Sequence, residues 1–280
     1  MLVSTEGDQM DTTTAAMWVT AIYLALWLFF IYSFVGVIAE MLYCWTIEFR
    51  GVIESRAGLL YLPFNLLYGI GGVVISLVLL PVFDNPLIVF LLGALVGTIL
   101  EYVTSVVMEK AFHAVYWDYS KEFLNIQGRV CLKYTLIWGV LSLVLLYAFD
   151  TFNVSVLAQV PAAIGLPVLG LLVVVTLLSI VLTLLTFRRV GQRNAYLHAK
   201  ASGKDAVLPN PAWARLVDRL VPDVILVNTF PRMSLVTQYQ ELSGHRRKVW
   251  FWMPSIGTST AARIAAAQRA QDQAAQPGGG

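Results

Sequence analysis

Long apolar runs separated by short polar segments dominate the first two thirds of the chain. Each run is long enough to cross a hydrocarbon core of roughly 30 Å, for which a helix needs about 20 residues. The pattern predicts an all-α, polytopic membrane protein with about five transmembrane helices, at about 17–46, 64–83, 86–109, 130–149 and 160–187. The chain then divides into an extracytoplasmic N-terminal segment (1–16), a transmembrane domain (17–187) and a tail (188–280).

The composition agrees with this division. Hydrophobic residues make up 58% of the chain and charged residues only 13%. Soluble globular domains carry about a quarter charged residues. The composition therefore excludes an ordinary soluble domain.

Basic residues are distributed unevenly between the connecting segments, which predicts the orientation. Lys and Arg in short loops are retained on the cytoplasmic side. Residues 1–16, the turn around Asp84 and the connection over 150–159 contain none, whereas the first and third loops contain Arg50, Arg56, Lys110, Lys121 and Arg129. We expect the N-terminus outside, the tail in the cytoplasm and a multi-pass location in the plasma membrane. The acidic first sixteen residues do not resemble a cleavable secretory signal.

The tail is strongly basic. It holds 13 Lys and Arg against 5 Asp and Glu, an excess of 8. This charge favours contact with anionic lipid, and 188–200 and 211–221 are expected to form short helices. The segment 245–254 places basic residues before aromatic ones, which suits a headgroup boundary; its aromatics could equally form a small core with 224–227. The last twenty residues are expected to be disordered.

Two carboxylates, Glu40 and Glu101, lie inside the predicted helices and not at their last residues. Glu40 lies near the inner boundary, whereas Glu101 lies about five residues, or roughly 7–8 Å, short of it. At that depth a carboxylate needs a partner or a water-filled pocket. Helical spacing places further polar or small residues on the same faces: Ser33 and Gly36 with Glu40, and Thr104, Ser105 and Glu109 with Glu101.

Basic residues at the start of the fourth span could neutralise these acids. Arg129 and Lys133 lie four residues apart, on one helical face. They are the expected countercharges for Glu101, Glu109 or Asp118.

These residues predict a polar cavity open to the cytoplasm. Its candidate binding residues are Glu40, Asn65, Tyr68, Glu101, Thr104, Ser105, Glu109, Trp117, Asp118, Tyr119, Asn125, Arg129 and Lys133. The competing interpretation is that Glu–Arg pairs only lock helices together and that Trp117 and Tyr119 are interfacial anchors.

No cofactor and no nucleic-acid partner is expected. The chain has no Walker-type phosphate loop. Cys44 and Cys131 lie near cytoplasmic helix ends, where a disulfide is not expected. Their spacing with His113 matches no metal motif.

The segment 56–72 contains Pro63 and four glycines, which suggests an irregular start to the second span. A re-entrant segment would bring Asn65 to the cavity, because irregular backbone survives at membrane depth only beside protein or water. A plain loop before a glycine-packed helix is the alternative.

An ordered series of motifs carries a family resemblance. It comprises YSFVGVIAE at 32–40, Leu-Tyr-x-Pro at 60–63, Tyr-Gly at 68–69, Glu101-Tyr102, Thr104-Ser105, Glu109, the run 117–120, and Asn125, Gly128, Arg129 and Cys131. The chain resembles the putative ABC-transporter type IV membrane proteins, also called CmpB-like, over about 30–150. The fifth span and the tail are expected to lie outside the match.

The resemblance implies a permease-like role in transport. An ATPase partner would then be a separate chain that docks on the loops at 47–62 and 110–129. The chain departs from the family pattern at Val37, Ala57, Leu62 and Leu66, where Trp, Arg, Gly and Pro are usual.

Three functions stay open. The first is a transport component that binds a small polar or lipid-derived solute, with Glu101 responding to a proton or cation and Arg129 binding anionic groups. The second is a lipid-headgroup enzyme that uses Glu101 or Asp118 as base and Arg129 with Lys133 for a phosphate. The third is a structural protein whose tail contacts anionic lipid or a cytosolic partner. The first is preferred, and an enzyme is not expected.

Overall fold

A computed structural model describes residues 4–48, 53–112, 114–231 and 234–235. Arg50, His113 and the segment 245–254 lie outside the described residues. The helices are α1 (Ser4–Tyr43), α2 (Leu66–Leu79), α3 (Pro86–Phe112), α4 (Leu132–Val144), α5 (Thr151–Leu157), α6 (Ala162–Ala201), α7 (Ala212–Leu220) and α8 (Asp223–Thr229). Shorter helical turns lie at Cys44–Glu48, Leu80–Val82 and Leu145–Asp150. Two short antiparallel strands, β1 (Ala114–Val115) and β2 (Ser234–Leu235), complete the fold.

Four helical stretches in the described part of the chain are long and apolar enough to cross a membrane: Thr14–Ile47, Pro86–Lys110, Leu132–Leu157 and Ala162–Leu197. A fifth apolar stretch, Leu66–Val82, is shorter, about 25 Å at the rise of an α-helix. The all-α, multi-pass prediction is confirmed. A fifth crossing and the orientation of the termini stay predictions.

The stretch Leu132–Leu157, predicted as the fourth span over 130–149, is longer than expected. The connection predicted over 150–159 is helical as far as Leu157, because a π-helical turn joins α4 to α5 without ending the helix. Asp150 and Asn153 therefore lie in the bundle and not in an external loop.

Close contact between α1 and α2 depends on small residues. A Cβ on Gly36 would overlap the ring of Tyr68, and a Cβ on Gly69 would overlap the hydroxyl of Ser33. Small residues such as Ser33 and Gly36 therefore permit the close approach of the two helices. These contacts also show that α1 and α2 run antiparallel.

The helices α3 and α4 meet in the same way. Trp138 lies against Gly97, and Ser142 lies against Gly93. The hydroxyls of Thr98 and Thr135 hydrogen-bond at 2.9 Å, which adds a polar contact between the two helices.

The bundle has two different ends. One end carries the irregular segments 53–65 and 114–131 and is called the loop end. The other carries the short connections around Asp84 and Gln159 and is called the turn end. The charge pattern predicts that the loop end faces the cytoplasm.

The irregular chain before α2 enters the bundle and bonds to its helices. The backbone N–H of Asn65 donates to the carbonyl of Ser33 on α1 at 3.2 Å. On α6, the hydroxyl of Thr183 accepts from the Leu60 N–H at 3.1 Å, and that of Ser179 donates to the Leu60 carbonyl at 2.5 Å. These bonds favour the re-entrant interpretation, because helices and not water satisfy the irregular backbone.

The first part of the tail packs against the bundle. Helix α6 continues past residue 187 to Ala201, so it crosses the expected boundary of the membrane domain without a break. Arg189, only 4% exposed, donates to the carboxylate of Asp218 on α7. Arg193 binds Asp223 on α8 at 2.8 Å. The apolar side chains that fill this contact include Phe187, Val190, Val221, Leu226 and Phe230.

Candidate functional site

The central group at the loop end is the carboxylate of Glu101, which is 5% exposed. The hydroxyl of Tyr119 donates to its Oε1 at 3.0 Å, and the indole Nε1 of Trp138 donates to its Oε2 at 3.1 Å. An indole N–H can only donate. The Oε2 atom therefore acts as an acceptor from Trp138 in either protonation state of the carboxyl group.

The loop after α3 holds Tyr119 in place. Its backbone N–H donates to the Gly128 carbonyl at 2.8 Å, and its ring stacks on that of Tyr134 with centroids 4.4 Å apart. Burial raises the pKa of Tyr119 well above its usual range, and the nearby charge of Glu101 raises it further. Tyr119 therefore stays a neutral donor at physiological pH.

A second carboxylate, Glu40, lies beside the first. The hydroxyl of Tyr68 donates to Glu40 at 2.7 Å, and the Tyr68 ring lies 6.0 Å from that of Trp138. Arg56 lies 3.9 Å from Glu40 and 3.7 Å from Glu54, so one guanidinium serves two carboxylates. Glu40, Tyr68, Glu101, Tyr119 and Trp138 are called the loop-end cluster below.

Arg129 belongs to a separate ion pair. Its guanidinium pairs with Glu109 and donates to the hydroxyl of Ser105 at 3.0 Å. Its carbonyl accepts from the indole of Trp117 at 2.8 Å. Of the countercharges expected for Arg129, the structure selects Glu109. Within the described residues, Glu101 forms no ion pair.

Asp118 and Asn125 shape the loop and do not face Glu101. Asp118 accepts from the backbone N–H of Ser120 at 2.9 Å and from its hydroxyl at 3.1 Å. Asn125 donates to the carbonyls of Ser120 and Glu122 and accepts from the N–H of Gly128 at 3.1 Å. Gly128 has a φ of 68°, a conformation that favours glycine. These bonds fix the turn that presents Tyr119.

Asn65 and Thr104 lie outside the polar contacts of Glu101. Asn65 caps the start of α2 by accepting from the Leu67 N–H at 3.0 Å, and its side chain donates to the Arg56 carbonyl at 3.1 Å. Thr104 is partly buried on α3 and forms no side-chain hydrogen bond with another described residue.

Lys133 is exposed at the rim of the cluster. Its Nζ lies 5.0 Å from the ring centroid of Tyr134 and 5.7 Å from that of Tyr43. The described aromatic rings therefore already hold one ammonium group by cation–π contact.

Sequence reasoning missed Trp138, Tyr43 and Tyr134. Trp138 carried a usable signal, because an indole in the middle of an apolar helix needs an acceptor for its N–H. The nearest polar stripe on the antiparallel neighbour contains Glu101. Tyr43 and Tyr134 carried no comparable signal.

A second polar cluster was also missed. At the turn end, the hydroxyl of Tyr32 donates to the carboxylate of Asp150, and the amide of Asn153 lies 3.5 Å from the same hydroxyl. These three residues are called the turn-end cluster. Tyr32 and Asn153 are buried and Asp150 is partly buried.

Comparison with known proteins identifies the family. No curated protein and no solved structure matches the chain. The family model described as Putative ABC-transporter type IV matches residues 27–184, more than half of the chain. The match reaches into α6, so the expectation that the fifth predicted span, 160–187, lies outside it is wrong. Helices α7 and α8 lie beyond the end of the match. The chain is therefore a membrane protein that belongs to the Putative ABC-transporter type IV family.

Proposed function

We propose that the chain is a permease-like component of a transport system in the plasma membrane. In this proposal the loop-end cluster lines a cytoplasm-facing cavity that binds a small polar or lipid-derived solute. The family supports a transport role, and the environment of Glu101 is the observation that carries the proposal.

The competing structural interpretation is that Glu–Arg ion pairs at this end lock the helices together. The lock at this end is supplied by Arg129 and Glu109. A buried charge held only by neutral donors costs stability that better-packed apolar residues would not. Residues of this kind in membrane segments commonly serve solutes or protons. The placement of Glu101 therefore supports a binding role.

The loop end also supports a separate ATPase partner. Phe123, Leu124 and Ile126 are 74%, 63% and 58% exposed at the tip of the loop over 114–131. The hydrogen bonds of Asp118 and Asn125 fix this loop. A fixed apolar tip is suited to docking another protein.

Mild-detergent purification of the tagged full chain tests this docking. We expect an ATPase to accompany the unmodified chain and to be lost from a variant that combines Phe123→Ser with Leu124→Ser. Val207→Ser is the matched control, because Val207 is 90% exposed but lies away from the loop. Recovery of no ATPase, together with no solute flux in proteoliposomes, would contradict the transport proposal.

The structural alternative is tested through the tail. Removal of residues 236–280 leaves α7 and α8 packed on α6 through Arg189 and Arg193. Under the transport proposal this truncation preserves ATPase recovery and flux. Complete loss of both would favour the interaction protein, with the tail contacting anionic lipid or a partner.

The lipid-headgroup enzyme has less support. Arg129 would have to leave Glu109 to bind a phosphate, and Asp118 is engaged in a turn. As an enzyme, the protein would need Arg129 to bind a phosphate and Asp118 to act as a base, and both side chains already have other partners.

A further inference from the structure

We propose that the loop-end cluster selects a solute that carries an organic ammonium group. This inference rests on the proposed transport function and names the chemical class of its solute. It follows from the charge balance, the aromatic rings and the available ligands around Glu101.

The charge balance at the loop end favours a cation. Arg56 is shared between Glu40 and Glu54, and Arg129 is paired with Glu109. Among the described residues, Glu101 receives only the neutral donors of Tyr119 and Trp138. An anionic solute would meet an uncompensated carboxylate, whereas a cation would complete the pair.

Aromatic rings surround the carboxylate. Tyr119 donates to Glu101 and stacks on Tyr134, and Trp138 donates to Glu101 and lies beside Tyr68. Ring faces attract ammonium groups, most strongly where water is excluded. Tyr119 and Trp138 direct their O–H and N–H edges at the carboxylate, so an ammonium head would pair with Glu101 and reach ring faces only beside it.

Lys133 shows that the neighbouring rings of Tyr134 and Tyr43 accept an ammonium group. Its ammonium lies within cation–π distance of Tyr134 and Tyr43 at the rim of the cluster. Tyr134 also stacks on Tyr119. The aromatic surface thus runs continuously from the Lys133 ammonium to the donor on Glu101.

A divalent metal ion fits less well. In the described part of the chain, no group of three or more His, Cys, Asp and Glu side chains could hold a metal ion. Hard cations prefer six or more oxygen ligands. The neighbours of Glu101 offer mainly donors and ring faces.

Binding to the purified full chain tests the inference. The probes are tetramethylammonium, choline, potassium and inorganic phosphate at constant ionic strength, measured by calorimetry and by ligand-induced thermal stabilisation. We expect the two organic cations to bind more tightly than potassium, and phosphate not to bind. Glu101→Gln should weaken tetramethylammonium binding on the order of tenfold or more, since tenfold corresponds to about 1.4 kcal/mol.

Matched variants distinguish how the Tyr119 ring, the Glu101 carboxylate and the overall fold contribute to tetramethylammonium binding. Tyr119→Phe keeps the ring and should retain most of the affinity, whereas Tyr119→Leu removes the ring and should lose it. Asp150→Asn removes a carboxylate at the turn end and should leave tetramethylammonium binding unchanged. Gel filtration and circular dichroism establish that each variant is folded.

Several outcomes would overturn the inference. They are binding of phosphate in preference to the organic cations, equal binding of tetramethylammonium by the Glu101→Gln variant, or flux driven by protons alone with no ammonium binding. In the last case the transport proposal survives. Glu101-dependent ammonium binding without flux or an ATPase would support the inference and reject the transport proposal.

Discussion

The two ends of the bundle each contain a buried or partly buried carboxylate, but they are built differently. At the turn end, Asp150 is held by Tyr32, so the bond joins two packed helical segments directly. At the loop end, Glu101 is held by Trp138 from a helix and by Tyr119 from an irregular loop. The turn-end cluster therefore needs only helix packing, whereas the loop-end cluster also needs the folded loop.

This difference separates a structural bond from a candidate binding site. A direct bond between helices explains the burial of Tyr32 and Asn153 without a ligand. Glu101 is more buried than Asp150 and depends on a segment that lies at the surface. Loops on a rigid scaffold commonly carry function. The following variants test whether the two ends respond independently, beginning with the largest expected effect.

Replacement of Arg129 by Ala should have the largest effect on stability. It leaves Glu109 unpaired and releases Ser105, and breaking a buried pair costs about 3–5 kcal/mol. We expect about 3 kcal/mol, because the Glu109 side chain is 26% exposed. Denaturant unfolding in detergent measures the loss. Arg129→Met combined with Glu109→Leu should recover part of it, and a change below about 0.5 kcal/mol in the single variant would contradict the lock.

Replacement of Trp138 by Phe should lower the free energy of unfolding by about 1–3 kcal/mol, the usual cost of leaving a buried hydrogen-bonding group without its partner. The matched control is Trp27→Phe, because the buried Trp27 Nε1 has no hydrogen-bond partner in the described residues. Thermal unfolding compares the two. Equal losses would show that the bond to Glu101 contributes nothing.

Replacement of Gly72 by Ala tests the close packing between the two ends. A Cβ there would overlap the ring of Tyr32, and such overpacking costs about 1–3 kcal/mol. Gly170→Ala is the control, because no heavy atom lies within 4 Å of its Cβ position. It should be neutral or stabilising by up to about 1 kcal/mol. Similar effects from both substitutions would refute the close α1–α2 contact.

Replacement of Tyr32 by Phe should have the smallest effect, about 1 kcal/mol, because it removes one hydrogen bond from the partly buried Asp150. Tyr23→Phe is the control, since the buried Tyr23 hydroxyl has no partner in the described residues. The unfolding free energy reports the difference. Weakened tetramethylammonium binding in the Tyr32→Phe variant would show that the ends are coupled.

The sequence predicted the helices from apolar length, and it predicted that Glu101 needs a partner because a carboxyl group lies inside an apolar run. It could not predict which acid pairs with Arg129, because that choice depends on the loop over 114–131. Leu124, Gln127 and Gly128 have positive φ there, and helical spacing does not reveal such turns. The binding role of Glu101 stays a prediction.

Asp150 was misplaced for a related reason. A charged residue after an apolar run usually marks a membrane boundary. Here the π-helical turn Leu145–Asp150 continues the helix, and Tyr32 supplies the hydrogen bond that makes burial tolerable. The partner lies 118 residues away in sequence. The hydrophobic pattern of the sequence therefore could not predict that Tyr32 and Asp150 form a hydrogen bond.

The bonds between Leu60 and α6 determine the order in which the protein can be completed during synthesis. Thr183 and Ser179 lie 123 and 119 residues beyond Leu60, so the ribosome makes them long after α2 has emerged. Until then, no hydroxyl from α6 can satisfy the peptide groups of Leu60 away from water. We therefore expect the chain before α2 to reach its final packing late in biogenesis, once α6 lies beside it.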